Sequence, residues 1–495
     1  MKVEHQTIIK IGSSEYFALK NDALLRYLFI ALAIVFGTVV AVSVAKVGVL
    51  ALLIIPAFIG FIGVLNNPWL GLSILIFTIY INLSPVLVAY FGLPSIAQPF
   101  VVFLSIILLI RIILFRDHVL GLQLPIILVG MYTLIGMLTL LYARDFTVGY
   151  AALIDYLKDA LYSILIVAFI QKPKALRSAI WALLIAGILL SSVSLYQQFT
   201  GTFLNEYWGY GQSVTSGTGT GYRLGGPIGD PNYYAMFLVA LIPLAIERFW
   251  HEKSAFLRLL SGWVVAACTL TVLYTYSRGG FLALICTVVL FAIRFRRQLR
   301  FIPVVLSISI LFVVFQFLPA KYTDRVTTLL SFLPQSGGNP LADSSIRGRT
   351  SANLVAIQMF VDHPIVGVGI ANYDSNYYSY ARPMGIDPSS VGGRQAHNLY
   401  LQIASERGLL GLLAFAILLF VTFKTILQTE VKLNNLGMEE YASLSTAISV
   451  SLVGYLVASI FLHDAYFRYF WVLIGIAWSF PQIVFHEVED VERSL

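Results

Sequence analysis

Several arginines lie between the apolar segments of the sequence, at positions where they could contact a substrate. One stands in a very short turn, within YSRGG, and one lies just before a predicted helix start, within YRLGG. Two open the stretch SSIRGRT, and one lies within GGRQAHN. Arginine makes charge-assisted hydrogen bonds with phosphate oxygens, each worth about 1.5–3 kcal/mol, so three or four would bind a diphosphate and stabilise it as a leaving group. For the arginine of YSRGG, the alternative is a structural side chain that snorkels to a membrane surface. The residues are Arg223, Arg278, Arg347, Arg349 and Arg394.

His397, in AHNLYLQIASERGLLG, is the candidate catalytic base. Imidazole titrates near pH 6.5, so the neutral form that accepts a proton from a sugar hydroxyl is abundant at pH 7. Helix capping is the alternative, and it is the preferred interpretation for His363, which precedes Pro364. Glu406 follows His397 by nine residues on a similar helix face, where pairing with an arginine is its expected role.

The elements that must position these residues are strongly apolar. Of the 495 residues, 58% are hydrophobic and only 12% are charged, against about 25% charged in soluble domains. This composition excludes a soluble enzyme, a disordered chain and a nucleic-acid binder, despite the net charge of +7. Cys268 and Cys286 both lie in apolar runs, so neither a disulfide framework nor a metal site is expected.

Apolar runs recur along the chain, and each transmembrane helix needs about 20 such residues. They predict an all-α polytopic membrane protein of about 14 transmembrane helices, with a range of 12–14, in a single integral membrane domain over residues 1–495. The run at 69–90 contains Asn82 and Pro85 and is expected to be broken or re-entrant. The runs cover residues 25–45, 47–65, 69–90, 98–115, 122–142, 148–170, 176–199, 232–250, 256–276, 279–294, 301–318, 398–423, 441–462 and 465–484.

Lysine and arginine predict which segments face the cytoplasm. With both termini placed inside, nineteen of these residues fall in cytoplasmic segments and five in short outside segments. Two polar stretches then lie on the outer face, a short loop at 200–231 and a long loop at 319–397. No ATP or nucleotide sugar is present on that side, so chemistry there needs a donor that arrives already activated, and in bacteria this indicates a lipid diphosphate.

The long outer loop is expected to be partly helical. Leu354, Ile357 and Val361 recur at helical spacing within 346–363, and Pro364 ends the pattern.

Two groups of ionisable residues lie in or beside the apolar runs. Asp155, Lys158 and Asp159 share one helix face, and they form either a functional site or a self-neutralising structural cluster. His463 and Asp464 lie in the last outside turn, where an interfacial pair is expected.

A longer pattern resembles the O-antigen ligase and polymerase superfamily of bacterial envelope glycosyltransferases. It comprises an arginine that opens a loop helix, an HPxxGxG turn, and HN followed by ExGxxG, with RLGGPIGDPN and YSRGG upstream. The clear resemblance covers about residues 210–415. The matching positions are Arg223, Asp230, Asn232, Arg278, Arg349, His363, Pro364, Gly367, Gly369, His397, Asn398, Glu406, Gly408 and Gly411.

The resemblance implies an inverting, metal-independent and cofactor-free transfer of an undecaprenyl-diphosphate-linked glycan, on the periplasmic face of a bacterial inner membrane. It assigns His397 as the base, and it implies that Arg223, Arg278 and Arg349 bind the diphosphate. The implied partners are the lipid-linked glycan and the bilayer, with a chain-length regulator as a further candidate and no nucleic acid. Four residues are expected to support the site: Asp230, Asn232, Asn398 and Glu406.

Three functions remain open at this point. A polymerase would join lipid-linked repeat units, and a ligase would transfer the finished glycan to a lipid A core or a protein. Ligase-type members usually have nearer twelve spans, so fourteen slightly favours a polymerase. A flippase or transporter is the third alternative, and only the charges at Asp155, Lys158 and Asp159 favour it.

Overall fold

The structure is a computed structural model that describes residues 63–65, 67–215, 221–295, 344–386, 395–463 and 468–494. The chain divides into two compact units, Met1–Pro68 and Trp69–Leu495. The second unit contains every site residue discussed below. Outside the described residues lie the apolar runs at 25–45 and 301–318, most of the run at 47–65, the first part of the long loop, Arg394 and Asp464.

Helices form most of the described structure. Their bounds are α1 Pro68–Tyr80, α2 Leu83–Phe91, α3 Ala97–Ile113, α4 Gln123–Leu140, α5 Phe146–Phe169, α6 Pro173–Thr200, α7 Pro231–His251, α8 Ala255–Tyr274, α9 Arg278–Arg294, α10 Ser344–Asp362, α11 Tyr373–Ala381, α12 Leu399–Asn435, α13 Glu439–Ala458 and α14 Arg468–Ser494. Two 3-10 turns, Tyr207–Gly209 and Ser459–Phe461, accompany them.

A small β-hairpin departs from the all-α expectation. Strands β1 (Gln212–Thr215) and β2 (Tyr222–Gly226) pair antiparallel within the loop predicted at 200–231. Arg223 on β2 lies opposite Val214 on β1. The hairpin therefore gives this polar loop a fixed backbone at the position of a predicted site residue.

The helices are those of a multi-pass membrane protein. Among the described residues, seven are long and apolar enough to cross a bilayer, or eight if α1 and α2 form one span. These two helices bend by 56° at their junction, as Asn82 and Pro85 predicted. Fourteen spans stay a prediction, because several of the apolar runs lie outside the described residues.

Helix α7 is the central helix of the described bundle. It packs against α6, α8, α9 and α13, and its side chains from Tyr234 to Leu241 are fully buried. Asp230 caps its first turn and Pro231 occupies its first position, a combination that starts helices efficiently. The backbone of the first turn of α7 is therefore well fixed, and it holds the neighbouring side chains in defined positions.

Paired charges hold the opposite end of α7. The buried Arg248 donates to Glu247 at 2.6 Å and to Glu440 of α13 at 2.8 Å. Glu252 accepts a hydrogen bond of 2.8 Å from Trp181 of α6. Buried charges are tolerated only when they are paired and hydrogen-bonded, so this cluster fixes α6, α7 and α13 to one another.

Helix α10 confirms the helix predicted in the long loop, but it buries a different face. Leu354, Ile357 and Val361, whose spacing predicted the helix, are 47%, 44% and 61% exposed. Apolar residues occur on more than one face of this segment, so their periodicity identifies a helix without identifying its partner. The buried face packs against α11 and consists of Ala352, Val355, Ala356 and Met359.

After α10, the chain turns and forms backbone hydrogen bonds with α12 at a kink in that helix. We name this contact the interlock; it joins residues 363–369 to residues 405–411. Gly408 within α12 has φ 60° and ψ −157°, so the helix is kinked there. Four backbone hydrogen bonds connect the segments: Val368 N–H to Ser405 O (2.8 Å), Gly369 N–H to Glu406 O (3.0 Å), Leu409 N–H to Pro364 O (2.7 Å) and Leu410 N–H to Ile365 O (3.2 Å).

Glycine is required at the centre of the interlock. Gly367 has φ +70°, and a Cβ atom there would lie 2.4 Å from the Glu406 carbonyl carbon. Gly408 has φ +60°, and its Cβ atom would lie 2.3 Å from the Ile365 oxygen. Any larger residue would combine a strained backbone with a backbone collision, so the HPxxGxG and ExGxxG motifs form a single structural unit.

We expect Gly367→Ala to lower the thermal unfolding temperature of the purified protein sharply, because the collision adds to the cost of a positive φ. Gly385→Ala is the matched control, since Gly385 also has a positive φ (+68°) but a Cβ atom there would have no neighbour within 4 Å. This variant should lower the free energy of unfolding by only about 1–2 kcal/mol. Gly348→Ala, in α10 with open space around it, should be neutral or stabilising. Equal losses for Gly367→Ala and Gly385→Ala would show that the interlock is not tightly packed.

Candidate functional site

Each of the helices α7, α9 and α12 begins with a side-chain cap beside predicted site residues. The capping residues are Asp230, Ser277 and Asn398. Their oxygens accept hydrogen bonds of 2.7–3.2 Å from backbone N–H groups of the first turn. The caps fix the points at which the three helices begin, and the helix dipoles add partial positive charge there.

A hydrogen-bond network joins the starts of α7 and α9 to the β-hairpin. Asn232 Oδ1 accepts from Arg223 Nη2 at 3.1 Å and from Ser277 Oγ at 2.9 Å. Arg223 Nε also donates to the Thr275 carbonyl at 2.9 Å. The network fixes the Arg223 guanidinium beside the first turn of α9, where Arg278 is the first residue.

The two glycines after Arg278 permit close helix packing. A Cβ atom on Gly279 would lie 2.9 Å from Phe461, and one on Gly280 would lie 2.5 Å from Ala235 of α7. The Gly280 amide donates to the helix cap, Ser277 Oγ, at 3.1 Å. Gly280 thus allows the start of α9, with the half-buried Arg278, to lie close to α7.

His397 lies directly before the cap of α12 in an unusual backbone conformation. Its φ is +48°, a left-handed value that is costly for a residue with a Cβ atom. Its ring meets the ring of His463 at a centroid distance of 5.0 Å and an angle of 79°. The sequence placed His463 only in an interfacial pair with Asp464, and nothing in that turn indicated a contact with His397.

Tyr233, in the first turn of α7, holds His463 in place. Its hydroxyl donates to the His463 carbonyl oxygen, and the two rings meet edge-to-face at 5.6 Å. Within the described residues, the buried Nδ1 atom of His463 has no hydrogen-bond partner. That nitrogen remains able to bind a hydroxyl group or a proton at the site.

Burial lowers the pKa of His397 to about 4, and repulsion from His463 and Arg349 contributes in the same direction. Burial also lowers the pKa of His463 to about 4, with Arg349 lowering it further and Asp230 opposing the shift. Both rings are therefore neutral at pH 7. These mutual effects also show that Arg349 of α10 and Asp230 of α7 lie within electrostatic reach of the histidine pair.

The structure brings together a core of the predicted site residues. His397, Arg349 and Asp230 interact electrostatically, and Arg223 and Asn232 are hydrogen-bonded to each other.

Four further predicted site residues lie on α10, at the start of α12, within α12, or outside the described residues. Arg347 is exposed on α10, Asn398 caps α12, and Arg394 lies outside the described residues. Glu406 is buried within the interlock, where its Oε2 accepts a hydrogen bond from the Ala371 amide at 3.0 Å. In the described part of the chain, no three His, Cys, Asp or Glu residues are grouped closely enough to hold a metal ion.

Comparison with known proteins agrees with the motifs. Residues 263–416 match the family model of the O-antigen ligases, a segment that includes Arg278, Arg349, His397 and the interlock. None of the curated proteins compared with the chain matches it. The matched segment includes α9, α10 and the first part of α12, and it supports the O-antigen ligase and polymerase superfamily for this chain.

Proposed function

We propose that the protein is a membrane glycosyltransferase that polymerises lipid-linked oligosaccharide repeat units, with undecaprenyl diphosphate as the leaving group. The family match supports an enzyme that acts on lipid-linked glycans in a membrane. The observation that carries the proposal is a neutral imidazole, that of His397, within electrostatic reach of Arg349 and beside capped helix N-termini. Such a site combines a base for a hydroxyl with positive charge for a departing anion.

The diphosphate of the donor is expected to bind to the arginines and helix starts. Arg223 is fixed by Asn232 at the start of α7, Arg278 opens α9, and Arg349 interacts with the histidine pair. Arginine forks match phosphate oxygens, and each helix N-terminus adds about 0.3–1 kcal/mol of favourable interaction. The positive charge stabilises the diphosphate most strongly as it departs, which favours transfer without a resident metal ion.

His397 is proposed to remove the proton from the acceptor hydroxyl. The acceptor oxygen then bonds to the anomeric carbon of the donor while the bond from that carbon to the phosphate oxygen breaks, so its electron pair leaves with the diphosphate. Attack opposite the leaving group inverts the anomeric configuration. The bound diphosphate also makes His397 a stronger base, because a nearby anion favours the imidazolium.

We infer that the site faces the periplasm of a bacterial inner membrane and that both termini are cytoplasmic. The excess of lysine and arginine in the opposite segments supports this orientation. Helix α7 carries the site at its start and the Arg248 charge cluster at its far end. A periplasmic site is also consistent with a donor that carries its own leaving group.

Transfer to a lipid A core is the second candidate function, because the matching family model is that of the O-antigen ligases. Incubation of the purified protein with the lipid-linked repeat unit alone separates the two activities. We expect a ladder of lengthened glycans, resolved by gel electrophoresis. A ligase would give product only after a core acceptor is added, and no product under either condition would contradict glycosyl transfer.

We expect His397→Ala to reduce turnover by about 10²–10⁴-fold, the usual contribution of a general base, while the lipid-linked substrate still binds. His363→Ala is the control, since His363 is exposed at the end of α10 and its backbone alone enters the turn. Both rates are measured in the ladder assay, and binding is measured on the same preparations. An unchanged rate for His397→Ala would remove it from the role of base.

The pH dependence should reflect the lowered pKa of His397. Only the neutral imidazole accepts the proton, so kcat/KM, which reports the free enzyme, should stay level from pH 8 to about 5 and fall as pH approaches 4. The fall in kcat should begin at higher pH, because bound diphosphate raises the pKa. His463→Gln removes a group that repels the His397 imidazolium, so the pKa of His397 should rise and the acid limb of kcat/KM should shift to higher pH. An acid limb of kcat/KM near pH 6.5 in the unaltered protein would contradict this environment.

A further inference from the structure

A second polar region, outside the histidine site, surrounds helix α5. A cavity of about 830 Å³ lies between α2, α3, α5, the interlock and the start of α14. We name it the α5 cavity. Its volume is within the range of about 300–1,000 Å³ that is usual for small-molecule sites. The mechanism above uses none of the α5 side chains that line it, among them Asp155, Lys158 and Asp159.

The charges on α5 require a polar environment. The helix has 24 residues, enough to span a bilayer, but it carries three ionisable groups in its middle and is not among the seven helices counted above as apolar enough to cross one. Lys158 and Asp155 form an ion pair of 2.9 Å with side chains that are 50% and 71% exposed. Exposed charge at membrane depth is strongly unfavourable in hydrocarbon and typically faces a watery or functional cavity. The α5 cavity therefore suits a polar ligand.

The lining of the α5 cavity does not favour an anion. It contains three carboxylates and three cationic side chains, so their formal charges cancel. This differs from the histidine site, where arginines and helix starts accumulate positive charge. The charged lining residues are Asp155, Lys158, Asp159, Glu406, Arg407 and Arg468.

Mixed donors and acceptors of this kind suit the hydroxyl groups of sugars. Each hydroxyl both donates and accepts hydrogen bonds, so it can satisfy a carboxylate and a cation together. Gln98 adds an amide that offers both functions, and Tyr156 and Val101 supply apolar surface for the C–H faces of sugar rings. A neutral saccharide therefore matches the cavity better than a phosphate group does.

Only five positions of the chain separate Arg468 in the wall of the α5 cavity from His463 of the histidine pair. The Arg468 amide donates to Asp159 Oδ2 at 2.9 Å, which fixes the start of α14 at the cavity wall. Arg468 follows His463 by five residues, so their Cα atoms are at most about 18 Å apart even in a fully extended chain. The His463 ring contacts His397. An oligosaccharide in the cavity could therefore extend to the histidine pair.

We propose that the α5 cavity binds the sugar rings of the acceptor glycan and directs one of their hydroxyl groups toward His397. This inference rests on the proposed glycosyl transfer and assigns the acceptor to a site separate from the arginine-bound donor diphosphate. Asp155 and Lys158 are expected to exchange their mutual ion pair for hydrogen bonds with the sugar. Glu406 lines the cavity and accepts a hydrogen bond from the amide of Ala371, which lines it as well.

The test uses the oligosaccharide repeat released from its lipid diphosphate by mild acid, because this probe lacks the group that the arginines would bind. Binding to the full-length protein in nanodiscs is measured by saturation-transfer NMR and titration. We expect the double variant Asp155→Asn, Lys158→Gln to bind the probe at least tenfold more weakly, and Gln98→Ala to weaken it as well. His397→Ala should bind it normally.

The pair Arg111 and Asp117 supplies the matched control, because it forms an exposed ion pair of 2.7 Å and does not line the cavity. The double variant Arg111→Gln, Asp117→Asn should bind the probe like the unaltered protein. A thermal unfolding transition for each variant shows that it is folded. If the double variant at the cavity fails to fold, Gln98→Ala still tests the cavity, because it removes no charge.

Three results would overturn the proposal. They are no binding of the probe by the unaltered protein, binding that the cavity variants leave intact, and loss of phosphatidylglycerol binding instead of probe binding in those variants. The last result would identify a lipid-headgroup site. Probe binding needs no turnover, so it can succeed where the ladder assay fails, and failure of glycosyl transfer is therefore distinguishable from failure of the acceptor site.

Discussion

The close backbone contact at the interlock is the constraint on which the site depends. Gly367 and Gly408 allow the turn after α10 to approach the break in α12 at distances that no other residue permits. Because α10 ends and the first segment of α12 also ends at this contact, the two helices pack together and extend away from it. Arg349 on α10 and His397 before α12 thus interact, although 48 positions separate them in the chain.

The electrostatics of the site involve a compromise between its two tasks. Arg349, which we propose to bind the diphosphate, also disfavours an imidazolium, so together with burial and the neighbouring His463 it keeps His397 neutral. Under the proposed function, His397 becomes an effective base when the diphosphate is present, which limits proton transfer to the loaded site.

Sequence patterns predicted single elements well and their contacts less well. The start of the helix in the long loop was predicted to within two residues, and the break near Asn82 was also predicted. The buried face of α10 differed from the expected one, because periodicity reports a helix but cannot identify the partner that covers it. His463 was not recognised as part of the site, since its contact with His397 joins segments 66 positions apart.

The sequence alone determined that the chain is a multi-pass helical membrane protein. The length of its apolar runs and its low content of charged residues can both be determined directly from the order and the types of the residues. The sequence also determined the chemical types available at the site, since arginine, histidine and capping residues can be identified from their local motifs. Only the tertiary structure decided which of these residues meet, how burial and neighbouring charge alter the histidine, and where the α5 charges face. Those properties depend on distances between segments far apart in the chain, and local spacing carries no information about them.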